Sequence, residues 1–454
     1  MKHRPPLDPD FVPAVLWNRS YAEKAAKAPG AKPLGISLQR GDSTVSVFRT
    51  TVLPHTVENN ALNIRYVERL LKFLLWQRGG YRVLIAGDPD IARQIRAIYS
   101  PGGQRAFDHE FMGRKVYGRP MEVEACDELP EPREMAIPLG RNLDGCRIGF
   151  DLGGSDRKCA ALVDGKVVFS EEVRWDPYFQ SDPQYHYDGI RETLRRAAEH
   201  LPRVDAIGGS SAGVYVNSEV RVASLFRGVS DDDFEKKVRR IFFDLQKEWG
   251  GIPFEVVNDG EVTALAGSMS MNDNAVLGIS LGTSQAAGYV DPDGHIRPWL
   301  NELAFAPVDY RENAPVDEWS GDAGCGVQYF SQQGVARLAP LAGIALPAGM
   351  PFAEQLVEVQ KLMAAGDPRA RSIYETIGIY LGYAIAHYAD FYEIRNLLIL
   401  GRVTSGEGGG VILEKASAVL RDEFPELAIP LRAPDEKDKR HGQAVAAASL
   451  PKLR

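Results

Sequence analysis

Two glycine-rich turns, each between two apolar strands, constrain the fold of this chain more than any other feature. The first joins RIGFDL to KCAALV through GGSDR, and the second joins AVLGISL to QAAGYV through GTS. Each apolar run is short and ends at turn residues, which predicts a β-hairpin. Helical patterns and further strand patterns follow both hairpins. The sequence therefore predicts an α/β chain with two lobes, each of which opens with a hairpin.

Length and one proline-rich stretch indicate the domain organisation. A chain of 454 residues is too long for a single hydrophobic core, so two or three domains are expected. The stretch DELPEPREMAIPLGRNLDG, which ends at Gly145, is rich in proline and charge and has little periodicity. We expect an α/β domain over residues 1–145, a small lobe over 146–268 and a larger lobe over 269–454, whose last helix is able to return to the small lobe.

Composition excludes several classes of protein. Hydrophobic residues make up 44% of the chain and charged residues 25%, which is typical of a globular protein. The net charge of -8 disfavours nucleic acid as a partner. The four cysteines are far apart, which suits a reducing compartment, and no apolar run is long enough to span a membrane. We expect a cytoplasmic protein.

The first glycine-rich turn has residue types that suit an anion. Asp151 ends an apolar strand, Gly153 and Gly154 follow, and Ser155 comes next. Glycines let backbone N–H groups face a phosphate, while a carboxylate beside them can hold hydrated Mg²⁺. An ordinary hairpin turn explains the same residues equally well.

The second turn, Gly282-Thr283-Ser284, has the same character in the other lobe. Alone it would be a common turn. Two such turns, one in each lobe, can hold a polyphosphate from both sides. The pair therefore favours a phosphate site more than either turn does.

Asn258 and Asp259 lie where an apolar strand ends and a helix begins. An Asp at this point can cap the helix by accepting hydrogen bonds from its first free N–H groups. At the mouth of a cleft, the same carboxylate can take the proton of a hydroxyl that attacks a phosphoryl group. Asn258 would then hold a neighbouring hydroxyl.

A glycine-rich segment follows the apolar strand LLIL near the end of the chain. It begins at Gly401, includes Gly408 and Gly409, and predicts a turn that opens a helix at about Val411. Backbone without side chains leaves space for a nucleoside and directs a helix N-terminus toward an anion. Such loops occur in many α/β folds.

Taken in order, the four segments resemble the sugar kinase and actin-like ATPase superfamily, and most of all its ROK group of glucokinases and repressors. The ROK motif DIGGT is matched by DLGGS, with a Lys further on, and the NDAN-type motif by the Asn-Asp pair. The Glu of the ROK GExGH segment is matched in NELAF. The resemblance covers residues 146–454.

The resemblance implies an ATP-dependent kinase that phosphorylates a hydroxyl of a sugar or sugar-like substrate. Its fold would be two ribonuclease H-like (actin-like ATPase) lobes around a cleft, with an additional N-terminal α/β domain. Asp259 would be the catalytic base, Asn258 and Glu302 would bind the sugar, and Asp151 would hold Mg²⁺ through water. The residues expected to bind ATP or its phosphates are Asp151, Gly153, Gly154, Ser155, Lys158, Gly282, Thr283, Ser284, Gly401, Gly408 and Gly409.

The chain departs from the ROK pattern at the zinc site and at its N-terminus. Phe305 replaces the His of GExGH, and only Cys325 remains of the family's CGCGxxGC cluster. Structural zinc requires four N or S ligands, so no zinc is expected. No winged helix-turn-helix is apparent over residues 1–145, for which a lid or a dimerising domain is the simplest expectation.

Two other functions stay open from the sequence. A regulatory protein could keep the cleft and sense a sugar or nucleotide without turnover. An ATPase coupled to a protein partner would use the same phosphate site without a sugar.

Overall fold

The structure, a computed structural model, describes residues 1–41, 44–134, 139–433 and 442–453. Its strands are β1 (Lys32–Gln39), β2 (Val45–Val52), β3 (Arg82–Ala86), β4 (Glu122–Cys126), β5 (Cys146–Leu152), β6 (Asp156–Val163), β7 (Lys166–Arg174), β8 (Ala206–Ser211), β9 (Val214–Val216), β10 (Glu219–Val222), β11 (Phe254–Asn258), β12 (Val276–Leu281), β13 (Gln285–Val290), β14 (Asn396–Leu400) and β15 (Leu431–Arg432). Its helices are α1 (Ala14–Lys27), α2 (Val57–Arg78), α3 (Pro89–Ile98), α4 (Ala106–Glu110), α5 (Pro183–Ala198), α6 (Asp231–Asp233), α7 (Ile241–Glu248), α8 (Asp259–Met271), α9 (Gln332–Leu341), α10 (Phe352–Ala364), α11 (Pro368–Ala389), α12 (Glu407–Glu423) and α13 (Gly442–Ala448).

The small lobe is built on a five-stranded sheet in the order β11-β8-β5-β6-β7. Strands β5, β6 and β7 form an antiparallel meander, and β8 and β11 run parallel to β5. The β6–β7 turn consists of Asp164 and Gly165, both with positive φ. This is the backbone that a two-residue hairpin turn requires, and Asp-Gly is a preferred sequence for it.

The last helix of the chain packs on the small-lobe sheet. A Cβ added at Gly149 would lie 1.8 Å from the carbonyl oxygen of Ala444, and one at Gly208 would lie 1.7 Å from that of Ala447. Only glycine therefore lets α13 approach β5 and β8 so closely. The C-terminal residues thus complete the core of the small lobe.

The larger lobe contains a four-stranded sheet in the order β13-β12-β14-β15. Strands β12 and β13 form the second predicted hairpin, and β14 runs parallel to β12. Helices α11 and α12 pack against each other, with Gly378 and Gly382 of α11 against Ile412 and Val419. The lobe repeats the hairpin-plus-parallel-strand plan of the small lobe.

The first part of the chain shares a hydrophobic core with the larger lobe. It forms its own sheet in the order β2-β1-β3-β4, with helices α1, α2 and α3 in the same segment. One continuous set of buried side chains nevertheless extends from Phe11 to Val123 and from Leu277 to Phe424. This segment is therefore packed into the larger lobe, and its role as a lid or a dimerising domain stays a prediction. The domain boundaries and the dimer stay predictions.

Local structure departs from the sequence pattern in one helix. The pattern predicts one helix over 234–250, whereas a π-helical turn, Phe234–Val238, precedes α7.

No helix in the described part of the chain is long and apolar enough to cross a membrane.

We predict that Gly208→Ala displaces α13 from the small-lobe sheet. The added methyl group would overlap backbone rather than a flexible side chain, so the free energy of unfolding should fall by about 1–3 kcal/mol. Chemical denaturation measures this. Gly410→Ala is the control, because a Cβ there meets no atom within 4 Å. Equal stability of the two variants would contradict the packing described for α13.

Candidate active site

Asp151 lies at the carboxyl end of β5, at the centre of the small-lobe sheet. Its carboxylate accepts a hydrogen bond of 2.7 Å from the Ser210 hydroxyl on β8. Lys158 stands directly opposite on β6, and its charge lowers the Asp151 pKa. Burial is the larger effect and raises that pKa overall. The result is a buried acid with a partner on each neighbouring strand.

The turn after Asp151 is closed by its own backbone and by one aromatic side chain. The Gly153 N–H donates to the carbonyl of Asp156, and its carbonyl accepts from the Trp175 indole at 2.7 Å. A Cβ at Gly154 would lie 2.0 Å from the Tyr178 hydroxyl, so glycine is required there. Ser155 is exposed at the tip of the turn.

Asn258, not Asp259, is the N-cap of α8. Its side-chain oxygen accepts from the Gly260 N–H at 2.7 Å, and its amide donates to the Gly213 carbonyl at 2.6 Å. The Asn258 N–H in turn bonds to the carboxylate of Glu261, which completes a capping box. Asp259 is therefore not needed as the cap.

Strand register places Asp259 close to Asp151. On one side of β8, Ser210 and Ser211 pair with Asp151 and Leu152 of β5. On its other side, the same two residues pair with Val257 and Asn258 of β11. The ends of β5 and β11 are thus two strand spacings apart, about 10 Å. Burial raises the pKa of Asp259 to about 6, and the nearby charge of Asp151 is the second cause.

Glu302 brings a third carboxyl group into this area from the larger lobe. It precedes a short 3₁₀ turn, Leu303–Phe305. Burial, and to a lesser extent the charge of Asp259, raise the pKa of Glu302 to about 7. Two of the residues predicted to act on a sugar, one from each lobe, therefore interact electrostatically.

The second glycine-rich turn lies at the end of β12. Gly282 donates to the Ser284 carbonyl and accepts from the Gln332 N–H, both at 2.9 Å. Thr283 and Ser284 are exposed. A Cβ on Gly260 of α8 would lie 2.3 Å from the carbonyl of Ala287, which is three residues beyond this turn, about 10 Å along a strand. The second glycine-rich turn therefore lies about 10 Å along β13 from the start of α8.

The glycines of the fourth segment do not form the predicted turn before a helix. Helix α12 begins at Glu407 rather than Val411, so Gly408 and Gly409 lie in its first turn. Gly408 packs on the Tyr374 ring, where a Cβ would lie 2.4 Å from a ring carbon. Gly401 has φ +107° and packs on Leu281 at the end of β12.

A pocket of about 180 Å³ opens at the N-terminus of α12. The hydroxyl of Tyr374 is buried and, within the described chain, has no hydrogen-bond partner. The residues that line the pocket are Gln360, Met363, Ala364, Tyr374, Ser405, Gly406, Glu407 and Gly408. The pocket can hold a flat apolar group with one hydrogen-bond acceptor.

Sequence reasoning missed three residues of the site. Ser210 holds Asp151, and Glu261 completes the cap of α8. Tyr215 donates to the Ser211 hydroxyl at 2.7 Å, and the charge of Asp259 helps to raise its pKa. The capping role of Glu261 could have been predicted from the sequence, because Asn-x-x-Glu before an apolar run is the pattern of a capping box. The other two depend on strand pairing.

Comparison with known proteins identifies the fold. A ROK hexokinase from Thermus thermophilus superposes with a TM-score of 0.53 and 18% identity over 67% of this chain and 96% of that chain. The chain has the ROK sugar kinase fold. The predicted fold class of two actin-like ATPase lobes and the ROK resemblance are thereby confirmed; the additional N-terminal domain stays a prediction.

Two further proteins are similar. A glucokinase from Halalkalibacterium halodurans is 26% identical in an alignment of 304 residues that covers 62% of this chain and 86% of that protein. A ROK family transcriptional regulator, a homologue of the E. coli MLC protein, gives a TM-score of 0.54 and 19% identity over 68% of this chain and 78% of that chain. No family model matches the chain.

We predict that Glu261→Gln stabilises this ROK-fold chain at high pH. Burial raises the pKa of Glu261 from 4.5 to about 8. The folded protein thus binds this proton more tightly than the unfolded chain, and stability is lost as the pH rises from about 4.5 to about 8. Glutamine can still accept the Asn258 N–H. At pH 8 the variant should be more stable by up to about 4 kcal/mol, and at pH 4 it should match the wild type.

Chemical denaturation at the two pH values measures the effect. A variant that is no more stable than the wild type at pH 8 would show that Glu261 is not held in a desolvated site.

Proposed function

We propose that the protein is an ATP-dependent phosphotransferase that phosphorylates a hydroxyl of a sugar or sugar-like substrate. The observation that carries the proposal is the placement of Asp259. It lies at the start of a helix, largely buried, and its pKa is about 6 because of burial and the charge of Asp151. A general base works best when its pKa lies near the operating pH.

The nucleotide would lie between the two glycine-rich turns. The turn after Asp151 and the turn at Thr283 would hold the phosphates from opposite lobes, with Lys158 adding positive charge. Mg²⁺ would come with ATP and neutralise the phosphates, and Asp151 would hold it through water. The pocket beside Tyr374 and Gly408 would take the adenine, with the ring of Tyr374 as part of its wall.

The sugar would lie between Asp259 and Glu302. The Asn258 amide uses one hydrogen on Gly213, so one remains for a sugar hydroxyl. Asp259 would take the proton of the attacking hydroxyl as the γ-phosphoryl group is transferred. Closure of the lobes would exclude water, which otherwise competes as the acceptor.

The similarity to a ROK transcriptional regulator favours one alternative, a sugar-sensing protein without turnover. The two functions differ in ADP release. A panel of hexoses, amino sugars, uronates and polyols, measured with and without Mg-ATP by thermal shift and by ADP release, separates them. Sugar binding without ADP release would support the sensor.

We predict that Asp259→Asn lowers kcat for the active sugar by about 10²- to 10⁴-fold, the usual contribution of a general base. The variant should be no less stable than the wild type at pH 8, because it removes a buried charge. Asp244→Asn, at an exposed position on α7, is the matched control. Near wild-type turnover by Asp259→Asn would rule out this residue as the base.

We predict that kcat/KM falls about tenfold for each pH unit below about 6. The proton on Asp259 blocks its action as a base, and its pKa is about 6. A pH–rate profile between pH 4.5 and 8 measures this, with folding followed at each pH. A flat profile down to pH 5 would contradict the assigned pKa and role.

A further inference from the structure

Helix α2, from the first part of the chain, holds the backbone of the Glu302 segment. The carbonyl of Trp76 accepts from the Glu302 N–H, and the carbonyl of Gln77 accepts from the Asn301 N–H, both at 2.9 Å. These carbonyls belong to the last turn of α2, where they have no partner within the helix. The predicted sugar-binding Glu is therefore attached directly to the N-terminal segment.

Asn301 adopts a backbone conformation that needs such support. Its φ is +51°, in the left-handed region that non-glycine residues rarely adopt. Its side chain is buried and accepts from the Tyr392 hydroxyl at 2.9 Å. Contacts from α2 and from the segment that follows α11 thus fix the residue before Glu302, since a strained conformation persists only when its surroundings determine it.

A buried ion cluster lies one turn earlier on α2. Lys72 is fully buried, and its ammonium lies 2.8 Å from Asp108 and 3.2 Å from Asp322. The Trp76 indole donates to the same Asp108 carboxylate at 2.5 Å. Lys72 therefore joins α2, α4 and the 317–325 loop of the larger lobe at one point.

Three more buried charges, Arg105, Glu68 and Arg69, complete the cluster around this lysine. Arg105 bonds to Glu68 at 2.6 Å and to Asp322, and Arg69 bonds to Glu68 at 2.6 Å. With Lys72 and Asp108, the cluster has three cations and three anions. Removing one partner from such a set leaves an uncompensated buried charge.

The cluster occupies the neighbourhood of the zinc residues of the ROK pattern. The Cys325 thiol donates to Asp322 at 3.4 Å, and burial raises its pKa well above the usual range. Phe305 packs on the Trp76 ring, with ring centroids 4.5 Å apart. Zinc needs deprotonated thiols and four ligands, so a protonated thiol beside an ammonium group does not fit it.

We propose that Lys72, Asp108 and Asp322 are positioning residues that replace a structural metal and fix Glu302 for the sugar. This rests on the proposed sugar kinase function. The ion pairs of the cluster hold α2 against the 317–325 loop. The last carbonyls of α2 then hold the backbone of Glu302 by hydrogen bonds. The first part of the chain thereby forms part of the proposed sugar site.

Steady-state kinetics of Lys72→Met test the proposal. We expect KM for the sugar to rise about tenfold, because misplacement of a binding group is costly even when its cause is remote. KM for ATP should stay within about twofold, since the cluster contacts neither glycine-rich turn. Lys72→Arg keeps the charge and should recover most of the sugar affinity. Lys415→Met, at an ion pair on α12, is the matched control.

Hydrogen exchange of the unliganded protein gives a readout that needs no activity. We expect peptides over residues 299–306 to exchange faster in Lys72→Met, while those over 151–158 and 280–285 stay as in the wild type. If the wild type phosphorylates no sugar, the proposed function fails but this measurement still decides the positioning role. Trp76→Phe, which removes the indole N–H that bonds to Asp108 and reduces the ring that packs on Phe305, replaces Lys72→Met if that variant does not fold.

Three results would overturn the proposal. KM for sugar and ATP could change equally, which indicates a general loss of structure. Exchange over 299–306 could stay unchanged in a folded variant. The purified protein could contain stoichiometric zinc whose removal by EDTA raises KM for the sugar.

Discussion

The structure depends on keeping two carboxyl groups, Asp151 and Asp259, buried near each other at the ends of parallel strands. Raising the pKa of Asp259 from 3.8 to about 6 corresponds to about 3 kcal/mol of lost stability at neutral pH. The sheet enforces this arrangement because Asp151 lies near the end of β5 and Asp259 directly follows the end of β11, and both strands pair with β8. Carboxyl groups whose pKa values are shifted toward neutrality by burial and by a neighbouring charge cluster at active sites, which supports the base role proposed for Asp259.

The two ends of the chain stabilise the two lobes on which the site stands. Helix α13 covers the sheet that carries Asp151, and it approaches so closely because Gly149 and Gly208 have no side chains. Helix α2 fills the core of the larger lobe and holds Glu302. Neither lobe is therefore a contiguous piece of sequence, even though each begins with its own hairpin.

The sequence predicted what depends on local patterns and not what depends on distant contacts. The hairpins, the strand that ends at Asn258 and the ROK-like order follow from spacing of apolar residues and glycines. The structure differs at the start of α12 because three successive glycines are typical of a turn, whereas here Gly408 packs on Tyr374 and Gly409 on the Thr404 carbonyl inside the first turn of a helix. The Lys72 cluster was invisible, because its members are separated by up to 250 residues and each reads as an ordinary surface charge.

The two carboxyl groups of the proposed sugar site come from different parts of the fold. Asp259 follows β11 of the small-lobe sheet, whereas Glu302 is held in place by the last carbonyls of α2. The start of α8 also contacts the larger lobe: a Cβ on Gly288 would lie 2.1 Å from the carbonyl of Gly260, so backbone meets backbone there. Because Asp259 immediately precedes Gly260, its position relative to Glu302 is set by this contact as well as by the small-lobe sheet.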